Sequence, residues 1–363
     1  AVGLIEPWAT VEGSYAWKER GHLADGGKLL VVGEGDVDAL TSAHAPASVT
    51  RVSEEEALSA EGFFDDIVYF GANAEVIEKI AQLLASRGVL DVVLGGRIER
   101  KVSLDIGRVH YDFIRFVGTT GDDPAEGYSW IPDTGDLRVG DKIAIVGAAG
   151  PMGQMHTMRA VTSGVPGISV VGTDLSDERL AGLKAVVGPV AEKRGVPLTI
   201  INTSVTPLEY GYTHITCLVP VPALVAGAVD LAAEGAIINA FAGIPAGTFG
   251  DFDLQGIIER RVFMLGTSGS DVSDMRTVLH KIEEGIIDTS ISLFAVTGMA
   301  GFGDAINSVI NRTSGGKIMV FPSLHDLGLT PLSELPEKFP QVAAAMKDGL
   351  WTKEAEEALL ATE

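Results

Sequence analysis

The stretch Lys142-Ile-Ala-Ile-Val-Gly147-Ala-Ala-Gly150-Pro-Met-Gly153 decides the fold. Its first five residues are mostly apolar and read as a buried parallel strand. They run into a glycine turn, and a helical pattern follows over residues 154–163. A second apolar run, residues 168–173, ends in Asp174. Strand, glycine turn, helix, strand and then an acid is the order a dinucleotide site requires. Gly150 lets the backbone approach a pyrophosphate, and Gly153 lets the helix pack close to the strand. The N–H groups and dipole at the helix start favour the phosphate charge. Asp174 is placed to accept hydrogen bonds from the ribose hydroxyls and to repel a 2′-phosphate, so NAD is expected rather than NADP.

Composition narrows the class. A chain of 363 residues can bury more than one core. An apolar fraction of 46% with 44 glycines suits an α/β protein with many strand-to-helix turns. A net charge of −22 argues against nucleic acid or an anionic membrane surface as partner. No apolar run is long enough to span a bilayer, and no signal peptide is visible, so a cytoplasmic protein is expected. Cys217 stands alone, which excludes an intrachain disulfide and a multi-thiolate zinc site.

The strand-turn-helix order occurs twice. Residues 66–96 align with residues 214–244 at a constant offset of 148, which also places Gly118-Thr-Thr-Gly121 on Gly266-Thr-Ser-Gly269. The opening strands match at an offset of 114, Gly33 with Gly147, so the first copy is about 34 residues shorter. The missing part is expected to be the region with the acid-bearing strand. Glu34 and Asp36 stand where a phosphate loop needs glycines, so the first copy is expected to be empty. The expected fold is α/β: two tandem Rossmann-like, doubly wound parallel-sheet units, the first reduced, plus a helical C-terminal tail. Four segments follow: an N-terminal helix and linker (1–24), the reduced unit (25–136), the cofactor unit with a C-terminal strand (137–322) and the tail (323–363). Coarser readings place helices over 74–87, 221–233, 271–284 and 303–310.

Residues 137–322 resemble the cofactor half of the medium-chain dehydrogenase/reductase superfamily, nearest in character to zinc-dependent alcohol, polyol and sugar-phosphate dehydrogenases. The resemblance rests on Leu137-Arg-Val-Gly-Asp-Lys142, the Ala149-Gly-Pro-Met-Gly153 turn, Thr173-Asp-Leu-Ser-Asp-Glu-Arg179 and Gly315-Gly-Lys-Ile-Met-Val320. It implies that Gly150, Pro151, Met152 and Gly153 form the pyrophosphate turn, that Asp174 holds the ribose and that Arg179 flanks the adenine. It implies a pyrophosphate contact for Lys317, and loops beside the nicotinamide at Val219, Thr267 and Ser268. Ala148 departs from the family's usual first glycine. Leu4-Ile-Glu6-Pro7 resembles a Glu-Pro pair that contributes a carboxylate to the zinc site of polyol dehydrogenases. Glu6 is therefore a candidate ligand, with the rest of a zinc site expected in a catalytic domain ahead of Ala1. An exposed acid at a helix start explains Glu6 equally well.

Other chemistries find less support. No tyrosine is followed four residues later by lysine, which removes the short-chain dehydrogenase mechanism. His214 and Cys217 fall on opposite faces of a strand. His110-Tyr-Asp112 reads as structural, at a strand edge. His156, on the cofactor helix, is either within reach of a phosphate or exposed to solvent. The expected function is that of an NAD-dependent oxidoreductase for an alcohol, polyol or sugar phosphate, or of the cofactor-binding part of one, in a homo-oligomer. The alternative is a nucleotide-binding or oligomerisation module without catalysis of its own.

Overall fold

In a computed structural model, which describes residues 2–311, 313–347 and 349–362, the chain forms two parallel sheets. The chain opens with α1 (Ile5–Ala16). The first unit follows as β1 (Lys28–Val32), α2 (Asp38–Ala43), β2 (Ser48–Val52), α3 (Glu54–Ser59), β3 (Phe64–Gly71), α4 (Ala74–Ala81) and β4 (Leu84–Leu94). It closes with β5 (Val102–Asp105), α5 (Ile106–Tyr111), β6 (Arg115–Thr119) and α6 (Ala125–Ser129). The second comprises β7 (Lys142–Val146), α7 (Pro151–Thr162), β8 (Ser169–Asp174), α8 (Asp177–Arg194), β9 (Leu198–Asn202) and β10 (Tyr212–Cys217). It continues through α9 (Pro222–Leu231), β11 (Ala232–Ala240), β12 (Phe249–Phe252), α10 (Leu254–Glu259), β13 (Phe263–Leu265) and α11 (Val272–Glu283).

The second sheet has the order β9-β8-β7-β10-β11-β13 and is parallel throughout, the doubly wound arrangement. The first runs β2-β1-β3-β4-β6, also parallel, with one strand fewer. The missing strand differs from the expectation. β2 pairs with β1 as β8 pairs with β7, so the position of the acid-bearing strand is filled. What the first unit lacks is a counterpart of β9, and the short α3 stands where the second unit has the 18-residue α8.

The 148-residue repeat extends to backbone detail. β3, α4, β4, α5 and β6 begin 148 residues before β10, α9, β11, α10 and β13. Asp105 and Asp253 cap α5 and α10 with their side chains. Phe113 and Arg261 both take positive φ, as do Arg87 and Gly235. The strand from residue 84 shortens the expected helix over 74–87 to Ala74–Ala81.

The two units pack reciprocally. β5 pairs antiparallel with β12, and one apolar core holds Ile67 and Leu90 of the first sheet with Ile215 and Ile238 of the second. A Cβ on Gly118 would meet Ile258 of α10, and one on Gly266 would meet the backbone of His110 in α5. The glycine that opens each repeated motif thus admits the other unit's helix. His110 lies within α5, not at a strand edge, and its Nδ1 is 3.2 Å from the Ala240 carbonyl.

The N-terminal helix α1 packs on the second unit. Trp8, Val11 and Tyr15 are buried in that unit's core, and Glu12 bonds Arg159 of α7 at 3.0 Å and Lys281 of α11 at 2.8 Å. Beyond α11, β14 (Leu293–Thr297), α12 (Phe302–Ile310), β15 (Lys317–Val320) and β16 (Thr330–Pro331) form a separate three-stranded sheet with one helix. The tail breaks into short helices, α13 (Leu335–Lys338), α14 (Pro340–Ala345) and α15 (Lys353–Leu360), since Pro336 and Pro340 interrupt it. Among the described residues no helix is long and apolar enough to cross a membrane.

Candidate functional site

A cleft of about 860 Å³ opens at the carboxyl ends of β7, β8 and β10, beside the point where the strand order reverses. Ligands of doubly wound sheets bind at that place. Gly147, with φ of 86°, turns the chain out of β7, and Gly150 is the N-cap of α7 with no side chain capping the helix. Pro151 has no N–H, and the N–H groups of Met152 and Gly153 that follow it have no side-chain cap to compete for them. A Cβ on Gly153 would fall 2.3 Å from the Gly147 carbonyl oxygen and 2.5 Å from Ala148 backbone atoms. Only glycine allows the helix to seat there.

Asp174 ends β8. One carboxylate oxygen accepts from the Leu175 N–H at 2.9 Å, and the other lies 3.5 Å from the Arg179 guanidinium. Arg179 also reaches over the glycine turn, 3.3 Å from where a Gly150 Cβ would be. From the far wall comes Lys317 of β15, whose segment is tied to α7 by the Gln154 side chain donating to the Gly315 carbonyl at 2.6 Å. Burial lowers the Lys317 pKa, and the negative charge of Glu6 opposes that shift. Two cations, one acid and a bare helix start thus converge on a mostly apolar cleft. That donor set fits a dinucleotide, with the cations and helix start on phosphates and the acid on a ribose.

The sequence-based candidates divide into three groups. Gly150, Pro151, Asp174, Arg179, Val219 and Lys317 all line the cleft. Gly153 and Met152 stand behind it, Gly153 against the turn and Met152 against the second unit's core. Thr267, Ser268 and Glu6 are not among its lining residues. Thr267 is buried, and its hydroxyl makes no hydrogen bond among the described residues. Ser268 is exposed. Glu6 is exposed at the start of α1, where it accepts from Thr10 at 3.2 Å and Ser270 at 3.3 Å. Among the described residues, the three metal-binding donors that lie close together do not include Glu6.

His156 is neither a phosphate ligand nor exposed. It is fully buried, its Nδ1 lies 2.9 Å from the Tyr15 hydroxyl, and burial with the Arg159 charge pushes its pKa well down. The sequence showed no sign that α1 would cover this face. His214 and Cys217 are both buried in β10; burial drives His214 down to about 4 and the thiol up to about 12, so neither carries charge at neutral pH.

The wall that sequence reading missed is α12. Phe302, Ile306, Val309 and Ile310 line the cleft while remaining substantially exposed. Their spacing marks one apolar helix face, a signal legible in the sequence once α12 is known to lack a core to cover.

The fold and cleft together define a doubly wound α/β protein with an open crevice at the strand-order reversal. No protein-family profile matches the chain. It is 29% identical over 248 residues to an uncharacterized protein, YggP, of Escherichia coli K12, a match spanning 62% of this chain and 57% of that one. It is 27% identical over 246 residues to mannitol-1-phosphate 5-dehydrogenase of Aliivibrio fischeri, with the same coverages of 62% and 57%. The matched region is thus little more than half the length of these relatives. Among solved structures, acetophenone reductase of Geotrichum candidum in complex with NAD is similar over 51% of this chain and 49% of its own, at 14% identity and a TM-score of 0.40.

Proposed function

We propose that this chain is the NAD-binding part of an oxidoreductase that acts on a polyol, a sugar alcohol or its phosphate. The observation that carries the reading is the convergence of Gly150, Asp174, Arg179 and Lys317 on one cleft at the strand-order reversal. Asp174 takes the ribose hydroxyls, while Arg179, Lys317 and the start of α7 take the pyrophosphate. Val219, two residues beyond β10, borders the nicotinamide side. The hydride chemistry belongs to the cofactor, and the protein orients it and limits water access. The likeness to a mannitol-1-phosphate dehydrogenase supports the substrate class. The zinc ion of such an enzyme would take its ligands from a catalytic domain outside this cleft, with Glu6 as a candidate carboxylate.

The test is a calorimetric titration of the chain with NAD and NADP. Saturable NAD binding, weaker NADP binding and loss of both in Lys317→Ala with Arg179→Ala support the reading. No heat of binding at millimolar NAD overturns it.

A further inference from the structure

Far from the cleft, two separate segments bring two imidazoles and a carboxylate together. His22 and Asp25 lie on the segment that leads into β1, and His44 lies between α2 and β2. The site therefore sits at the amino ends of the first sheet's strands, opposite the end used by a cofactor. Backbone bonds hold the segments side by side: Gly26 N–H donates to the Ala45 carbonyl at 2.9 Å and Ala47 N–H to the Gly27 carbonyl at 2.8 Å.

The side chains are already gathered. The His22 and His44 rings stack with centroids 4.1 Å apart and planes 14° apart. His44 Nδ1 is 3.2 Å from the Asp25 carboxylate, and one donor atom from each of the three residues lies within 4.8 Å of the others. Donors bound to a common ion at about 2.1 Å stand up to about 4 Å apart, so small side-chain rotations suffice. His22 Nδ1 lies 2.7 Å from the Leu23 carbonyl oxygen. A carbonyl only accepts, so the proton is on Nδ1 and Nε2 keeps the lone pair a metal takes. A carbonyl behind the far nitrogen is also how metal-binding imidazoles are commonly oriented. His44 is half-buried and Asp25 is exposed, which leaves room for water as a further ligand.

We propose that His22, Asp25 and His44 form a site for a divalent transition-metal ion of the zinc class, which ties the segment before β1 to the segment before β2. Two imidazoles and one carboxylate favour Zn²⁺, Co²⁺ or Ni²⁺ over Mg²⁺ or Ca²⁺, which take oxygen ligands. The ion acts on structure rather than on the reaction, because the reduced unit's far end separates it from the cleft.

The experiment uses the full, untagged chain stripped with chelator. It is titrated with Zn²⁺ by calorimetry and with Co²⁺ by visible absorption. One equivalent is expected to bind, to raise the unfolding temperature and to leave NAD binding unchanged. His22→Gln and His44→Gln are each expected to weaken binding more than about tenfold, and Asp25→Asn less so. All three alter surface side chains, and an unchanged unfolding temperature without metal shows that they fold. The proposal is overturned if no saturable binding occurs. It is equally overturned if binding survives in the double histidine variant, which would place the ion at the exposed His280 or His325.

Discussion

The two units share a backbone plan yet differ in whether their crevices are open, and the difference lies at the ends of two central strands. Tyr69 and Phe70 stand just before the end of β3, where Cys217 and Leu218, 148 residues later, stand at and just beyond the end of β10. In the first unit the Tyr69 hydroxyl bonds Glu54 at the start of α3 and accepts from the Asn73 N–H at 2.9 Å. The Phe70 ring lies where a Cβ on Gly35 would go, so the turn after β1 is folded onto it. In the second unit a buried thiol and a leucine leave that space empty, and Leu218 lines the cleft. Gly33 and Gly147 keep nearly the same φ, 82° and 86°. The turn survives in both copies, so the turn alone does not make a site; the residues that face it do.

The sharpest way to break this comparison is to place a methyl group in each turn. Gly153→Ala sets a Cβ against backbone atoms at 2.3–2.5 Å, which cannot give way without moving the turn. It is expected to weaken NAD binding by more than about 100-fold, from a few kcal/mol of strain and lost positioning. Gly35→Ala meets only the Phe70 ring and should leave NAD affinity within about twofold. Equal losses in both variants would show that the first unit takes part in binding. A smaller effect is expected at the strand ends. Asp174→Asn removes a charged acceptor worth about 1.5–3 kcal/mol, a loss of roughly 10- to 100-fold for NAD, with NADP affected less. If titration shows NAD and NADP weakened alike, Asp174 acts through Arg179 rather than on the ribose.

Much of this was legible because both signals are local. The Lys142–Gly153 turn with Asp174 declared its unit from periodicity and spacing, and the 148-residue offset held down to the Asp105 and Asp253 caps. What the sequence hid depends on contacts between distant segments. α1 is a helix of no evident destination until Tyr15 is seen against His156, 141 residues away. β2, with mostly exposed residues, lacks the apolar run that marked β7, so the missing strand was misplaced. The Gly266 that opens the Thr267-Ser268 motif admits α5, a packing role that its own short motif does not announce.

The mildest prediction concerns a position where the two copies carry nearly the same side chain with different consequences. Asp91 in β4 and Asn239 in β11 are 148 residues apart, and both are fully buried. The Asn239 amide donates to Ser14 at 3.2 Å, whereas neither Asp91 oxygen has a partner among the described residues. Burial, reinforced by the negative charges of Asp66 and Asp123, holds the Asp91 carboxyl well above the ordinary carboxylate range. The folded chain therefore favours the protonated carboxyl above about pH 4, where an unfolded chain ionises it. Because the folded pKa is raised, this group's stability contribution is full below about pH 4. It is lost progressively as pH rises toward the folded value. Asn at this position carries no charge at any pH. Asp91→Asn is accordingly expected to match the parent near pH 4 and to exceed it by about 1–3 kcal/mol at pH 8. For a chain of this size that corresponds to a rise of several degrees in unfolding temperature. Thermal unfolding across that pH range decides it, with NAD affinity unchanged throughout. A variant less stable than the parent at pH 8 would mean that Asp91 is ionised and partnered, and that the two copies differ there in kind.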